Sequence, residues 1–308
     1  MAEDHLPSPP APTIEVCYRH PDVPTRVHCT RCERPICPDC MIPAPVGFQC
    51  PECVAEARRE FRKGPGRPLR GGVSVTKALL VAIAIPFVIE IVVGGPQALV
   101  NPSEQTLFRL GAMQPIAVAS GQFWRLFTAM FLHAGILHIA LNAYFFYLFG
   151  RTVEGTFGRT WMVVIYMVSG FVASVASYAF GPLTTLAVGA SGAIAGVFGA
   201  FIAYAYRRRH MAMHAANLRM ALTVIVLNAV IAFGYTAIDW RAHVGGLAAG
   251  FVIGYLADLP SRQRTLVASG GTIALAGVGV ALVLWRTVDI RSIPGFDQLV
   301  AQVFAFFD

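Results

Sequence analysis

Gly189-Ala190-Ser191-Gly192-Ala193-Ile194-Ala195-Gly196-Val197-Phe198-Gly199 places a single serine between glycines at the start of an apolar run of small residues. Further on, Arg241-Ala242-His243-Val244-Gly245-Gly246-Leu247-Ala248-Ala249-Gly250 places a histidine at the start of a second such run. Small residues at this density let helix backbones approach closely, as helices packed inside a membrane do. A hydroxyl and an imidazole, each opening a helix of this kind, read as a nucleophile and its general base.

The bulk composition agrees with a membrane setting. Hydrophobic residues make up 56% of the 308-residue chain and charged residues 13%, where soluble chains average about 25% charged. The net charge of +7 comes mostly from arginines in short loops beside apolar segments, the pattern of membrane orientation rather than nucleic-acid binding. The first 16 residues are Pro-rich and acidic, unlike a secretory leader, and read as a disordered tail.

All seven cysteines lie between Cys17 and Cys53, too clustered for a disulfide framework. With one histidine they form four pairs: Cys17-x-x-His20, Cys29-x-x-Cys32, Cys37-x-x-Cys40 and Cys50-x-x-Cys53. A two-residue gap lets both ligand atoms turn toward one ion, and eight ligands fit two tetrahedral Zn²⁺ sites. The order resembles the B-box family of cross-braced zinc modules. That resemblance implies one zinc on Cys17, His20, Cys37 and Cys40 and another on Cys29, Cys32, Cys50 and Cys53. The chain departs from it in the last pair, Cys-Cys where many B-boxes carry histidines, and His28 is an alternative ligand beside Cys29. Such a module recruits a cytoplasmic protein partner, gates the rest of the chain or simply stabilises it; the residues leave these open.

A basic linker follows (Arg58, Arg59, Arg62, Lys63, Arg67 and Arg70), suited to the cytoplasmic face and its anionic lipids. It lacks the interleaved aromatics of a nucleic-acid surface. Seven apolar segments then approach the roughly 20 residues needed to span a bilayer: 76–95, 126–149, 160–180, 188–206, 217–235, 238–257 and 267–285. Arg151 and Arg159, Arg207 to Arg209, and Arg262 and Arg264 follow the second, fourth and sixth. Positive-inside bias therefore predicts a cytoplasmic N-terminus and zinc module, an outer C-terminus, and Ser191 and His243 both near the outer face. The long first outer loop, about 96–125, suits the membrane interface, and residues 287–308 read as an outer amphipathic helix.

Polar residues inside a spanning helix are costly and call for a reason. His138 and Asn142, at i and i+4, share one helix face and offer an imidazole N–H and an amide NH₂ as donors to an oxyanion. The backbone N–H of Ser191, at its helix N-terminus, would be a third.

With these pieces in place, residues from about 75 to 260 resemble the rhomboid family of intramembrane serine proteases. The resemblance rests on Gly189-Ala190-Ser191-Gly192, Ala242-His243-x-x-Gly246-x-x-x-Gly250, His138-x-x-x-Asn142 preceded by His133, Trp124-Arg125, and Glu154-x-x-x-Gly158. It implies Ser191 as nucleophile, His243 as base, an oxyanion hole of His138, Asn142 and the Ser191 amide, structural roles for Glu154 and Arg125, and no cofactor in the chemistry. It also implies substrates that are single-pass membrane proteins, cut near the outer face. The chain departs from the family at Ala195, where several rhomboids carry an aromatic that stacks on the histidine. Asp239, one turn before His243, is either an orienting partner or a solvated acid at the helix mouth. His133 reads as structural, and His210 and His214 as loop residues.

The expected fold class is therefore an all-α polytopic membrane protein: a rhomboid-like six-helix bundle plus one extra C-terminal transmembrane helix, preceded by a small zinc-binding module. The expected divisions are a tail (1–16), the B-box-like module (17–55), a basic linker (56–75), the rhomboid protease domain (76–260), a seventh helix (261–288) and an outer tail (289–308). Composition rich in alanine and arginine associates the chain with a GC-rich bacterium. Two rival readings remain, a non-catalytic rhomboid relative that escorts membrane proteins and a transporter or channel. Each leaves part of the serine–histidine–asparagine set without a purpose.

Overall fold

The computed structural model describes residues 15–44, 46–63, 74–234, 239–259 and 264–307. Most of the expected tail and linker, together with His-free stretches 235–238 and 260–263, lies outside them. The chain divides into two compact units, residues 1–68 and 69–308.

The first unit carries little regular structure. Strands β1 (Ile42–Pro43) and β2 (Phe48–Gln49) form an antiparallel hairpin in which Ile42 faces Gln49, and helix α1 (Pro51–Lys63) follows. Its buried core is Ile36 and six cysteines: Cys17, Cys29, Cys37, Cys40, Cys50 and Cys53. A unit this small, with so few apolar side chains, cannot offset its ordering entropy by hydrophobic burial alone. Its sulfurs are the groups through which a bound ion could cross-link it.

Among its described residues the regular structure of the second unit is helical apart from one antiparallel bridge, Met113 to Ala187. Helix α2 (Val75–Gly94) is capped by Ser74, whose hydroxyl accepts from Lys77 N–H. The long loop is not irregular: it folds into short helices α3 (Glu104–Leu110), α4 (Pro115–Ala119) and α5 (Arg125–Thr128). Helices α6 (Ile136–Phe157), α7 (Arg159–Phe180), α8 (Ser191–Arg207), α9 (Ala212–Gly234), α10 (Trp240–Ala257) and α11 (Arg264–Arg291) complete seven long helices, and α12 (Phe296–Phe307) ends the chain. Four of these, α2, α6, α7 and α11, are long and apolar enough on their own to cross a membrane. Helix α8 is central and buried along almost its whole length. Around it Phe146, Phe149, Tyr166, Val197, Phe198, Phe201 and Ile253 form the largest apolar cluster.

One expected span is shifted. The second segment, read as 126–149, begins only at Ile136 and runs to Phe157. Gly135, at φ +101°, interrupts the chain before it, and in the segment ahead of it Leu126, Ala129, Met130 and Leu132 are buried while Phe127 is exposed. His214 is likewise not a loop residue; it is buried within α9, edge-on to Tyr204.

Two buried ionic residues organise the loops. The Glu154 carboxylate accepts from Ser74 Oγ (2.7 Å), Val75 N (2.7 Å), Thr76 N (2.9 Å) and Thr76 Oγ (2.7 Å), so α6 caps the positive N-terminus of α2. The Arg125 guanidinium donates to the carbonyls of Phe108 (2.7 Å) and Ala112 (2.9 Å) and to Gln122 Oε1, and lies over the Phe108 ring.

Helices α8 and α10 meet backbone to backbone. A Cβ at Gly250 would run into the Gly196 carbonyl, one at Gly246 into the Gly192 carbonyl, and one at Gly199 into the Leu247 carbonyl. The small-residue registers of the two opening stretches are thus the two sides of one seam.

Candidate active site and metal centres

The seam fixes the site. Ser191 is the first residue of α8 and His243 lies in the first turn of α10, so close packing of the two helices brings their N-terminal ends together. His243 Nε2 lies 2.8 Å from Ser191 Oγ, a hydrogen bond of the length a base needs to take a hydroxyl proton. Both side chains are half-buried.

Asp239 is the N-cap of α10: Oδ1 accepts from Arg241 N (3.1 Å) and Ala242 N (3.4 Å), and its backbone carbonyl accepts from His243 N (3.3 Å). Its other oxygen is buried with no partner among the described residues. It therefore orients the turn that carries His243, and its described hydrogen bonds go to backbone rather than to the imidazole.

The third helix at this end is α6. His138 Nδ1 accepts from Ala134 N–H at 3.2 Å. In a neutral imidazole that assignment leaves the proton on Nε2. A methyl in place of the Gly189 hydrogen would lie 2.9 Å from His138 Nε2 and 3.6 Å from Ser191 Oγ. The donor nitrogen and the hydroxyl thus border one small space, and glycine keeps it open. Gly189 has φ +125°, which glycine alone takes without strain, and its N–H is held by the Ala129 carbonyl at 2.8 Å. One turn along α6, Asn142 is buried and its Nδ2 has no partner among the described residues. The first N–H groups of α8 have no partners within the helix. A hydroxyl hydrogen-bonded to one imidazole, with a second imidazole nitrogen bordering the same small space, is an arrangement that acyl transfer could use.

The sequence reading passed over one buried acid. Glu90, in α2, is fully buried, and its Oε1 accepts from His133 N–H at 2.9 Å. An acid within an apolar span was itself the signal.

In the first unit, the eight ligand atoms form two groups, Cys17, His20, Cys37 and Cys40, and Cys29, Cys32, Cys50 and Cys53, with each group's atoms within 4.8 Å of one another. This is the cross-braced pairing. His28 is in neither group and pairs with Glu15 instead. Backbone N–H groups reach the sulfurs, Cys50 N to Cys29 Sγ at 3.2 Å and Cys53 N to Cys50 Sγ at 3.3 Å, and Arg34 Nε donates to Cys32 Sγ at 3.3 Å. Burial alone would raise the Cys29 thiol, but the N–H groups of Cys50, Arg31 and Cys32 outweigh it and hold it near 6. Burial and the neighbouring sulfurs push Cys53 up to about 12. Four packed sulfurs cannot all become thiolates beside one another without a cation between them, so the donors fit a metal ion.

The sequence matches the Rhomboid domain family over residues 120–258. It is 30% identical over 222 residues to "Rhomboid protease GluP" of Bacillus subtilis, covering 71% of this chain and 42% of that protein. It is 32% identical over 149 residues to "Putative rhomboid protease YdcA" of the same organism, covering 48% of this chain and 74% of that protein. It is 36% identical over 159 residues to "RHOMBOID-like protein 6, mitochondrial" of Arabidopsis thaliana, covering about half of each. Over most of these relatives the chain spans about half their length or less. The glycine seam, the polar residues at one end of the bundle and these likenesses converge: this multi-pass membrane protein belongs to the rhomboid family.

Proposed function

We propose that the chain is an intramembrane serine endopeptidase that cuts single-pass membrane proteins near the outer membrane face. The observation that carries this reading is the 2.8 Å contact between Ser191 Oγ and His243 Nε2 beside His138 Nε2. His243 Nε2 takes the Ser191 hydroxyl proton as Oγ attacks the scissile carbonyl carbon. The oxyanion is received by His138 Nε2–H, the Asn142 amide and the Ser191 N–H. As the C–N bond breaks, His243 returns the proton to the leaving amine. Water, deprotonated by the same imidazole, then attacks the acyl-enzyme carbonyl, and a second collapse frees the new carboxyl end and Ser191. A Ser–His dyad suffices, with Asp239 acting on the helix turn rather than as a third triad member.

The test is cleavage of a model single-span substrate in proteoliposomes. The parent is expected to cut, while folded Ser191→Ala and His243→Ala are inactive. A parent that never cuts, or a Ser191→Ala that still cuts, overturns the reading and leaves the escort function.

The two metal groups are proposed as zinc sites. Cys₃His and Cys₄ donor sets favour tetrahedral Zn²⁺, which would supply cross-linking of four chain segments and no chemistry of its own in the protease reaction. The charge bias of the loops supports a cytoplasmic location for this unit and an outer location for the catalytic end.

A further inference from the structure

We propose that Glu90 is a positioning residue that sets the tautomer and aim of the oxyanion donor His138, acting through the His133 peptide. The inference rests on the reading of His138 given above.

Helix α2 lies outside the catalytic seam, yet it carries a fully buried carboxyl group in an apolar span. Such a group is costly there, and an alkyl side chain would serve packing better. Its described hydrogen bond is to the His133 backbone N–H at 2.9 Å, and Oε2 has no partner among the described residues. The carboxyl group is thus spent on one peptide.

That peptide leads directly to the site. His133 and Ala134 belong to the short non-helical link before Gly135 and α6. The next N–H along, from Ala134, donates to His138 Nδ1 at 3.2 Å. Two consecutive amides are therefore pinned, the first to α2 and the second to the imidazole ring. If the first rotates, the second loses its aim, and His138 is free to carry its proton on Nδ1, where it serves no oxyanion.

The same face of α2 also steadies the ring. Phe87 lies one turn before Glu90 and meets the His133 ring edge-on with centroids 6.5 Å apart. His133 in turn meets the His138 ring at 5.3 Å and 70°. Both His133 ring nitrogens are buried without partners among the described residues, so that ring is held by packing and acts as a wall behind His138.

The test is a double-mutant cycle on the full chain in detergent or proteoliposomes, with kcat, KM and thermal melting measured for each enzyme. Glu90→Met removes the acceptor at similar size, and Glu90→Ala stands in should the methionine not fit. Removing an oxyanion donor costs about 100- to 1,000-fold in kcat. Misaiming it should cost about tenfold or more in the kcat of the folded enzyme, with KM unchanged and melting used to confirm that the variant is folded at the assay temperature. Glu90→Gln, whose amide oxygen still accepts from His133 N–H, should recover most of the loss. In a His138→Ala background, Glu90→Met should cost nothing further. A full additional loss in that background, or a parent-like kcat for both Glu90→Met and Glu90→Ala, overturns the inference alone. A parent-like kcat for His138→Ala itself overturns the oxyanion reading beneath it.

Discussion

Asn142 and Glu154 are both buried polar residues of α6, and they do opposite kinds of work. The Asn142 Nδ2 has no described partner and stands one turn from His138, as the proposed role of receiving a charge that exists only during reaction requires. Asn142→Ala should lower kcat by about 10- to 100-fold and leave the melting temperature unchanged or slightly raised, because an unpaired buried donor has been removed. Glu154 already has four donors. Glu154→Ala strands them and should destabilise the fold by about 2–4 kcal/mol, read as a lower melting temperature, while the folded fraction keeps its kcat. A Glu154→Ala enzyme that melts like the parent would refute the capping role. At this scale the sequence singled out Ser191, His243, His138 and Asn142 as chemistry-bearing side chains in apolar helices, and the fold brings Ser191 and His243 into hydrogen-bond contact. Glu90 carried the same signal, but its partner is a backbone N–H supplied by another segment, and no spacing rule reveals such a partner. The capping geometry of Asp239 was hidden for a related reason, since it depends on the backbone angles of one turn.

Among the elements, the α8–α10 pair sets the site's geometry. Its glycines lie where any side chain would strike the opposite backbone, so the helix separation is set by van der Waals contact of main chains. Gly250→Leu must push the helices apart by the width of a side chain. The Ser191–His243 hydrogen bond lies at the same seam and tolerates only a few tenths of an ångström of extra length. The expected result is loss of cleavage together with a drop in stability, and Gly250→Ala should already cost about 1–3 kcal/mol through overpacking. A leucine variant with parent-like kcat would show that the seam does not hold the dyad. The small residues marked both helices as close-packed, and the reading of Ser191 and His243 as nucleophile and base required the two to meet, but the register of the glycines appears only in the folded seam. The start of α6 was misplaced because hydropathy alone cannot distinguish a spanning run from an apolar segment ahead of it: Leu126, Ala129, Met130 and Leu132 are apolar because they are buried in three different clusters, while Phe127 stays exposed.

For the molecule as a whole, the open quantity is its orientation, and the distribution of cysteine supplies the assay. All seven cysteines belong to residues 17–53 and none follows, so a thiol reagent reports on the first unit alone. The loop between α7 and α8, from Gly181 to Gly189, carries no charge and adjoins Ser191. Arginines cluster instead before α2 and after α8, and Arg151 and Arg159 flank the end of α6. If that bias sets orientation, a membrane-impermeant maleimide applied to intact cells should leave the native protein unlabelled and should label a Thr185→Cys variant once. Permeabilisation with a chelator should then expose the thiols of the first unit, because sulfurs bound to metal react slowly and those of the metal-free, unfolded unit do not. Permeabilisation without chelator should expose far fewer. Labelling of the native protein in intact cells, with no additional label on Thr185→Cys, would invert the topology and move the proposed cut to the cytoplasmic face. Equal labelling with and without chelator would remove the metal from the account of the first unit, whose apolar core would then have to fold a unit this small unaided.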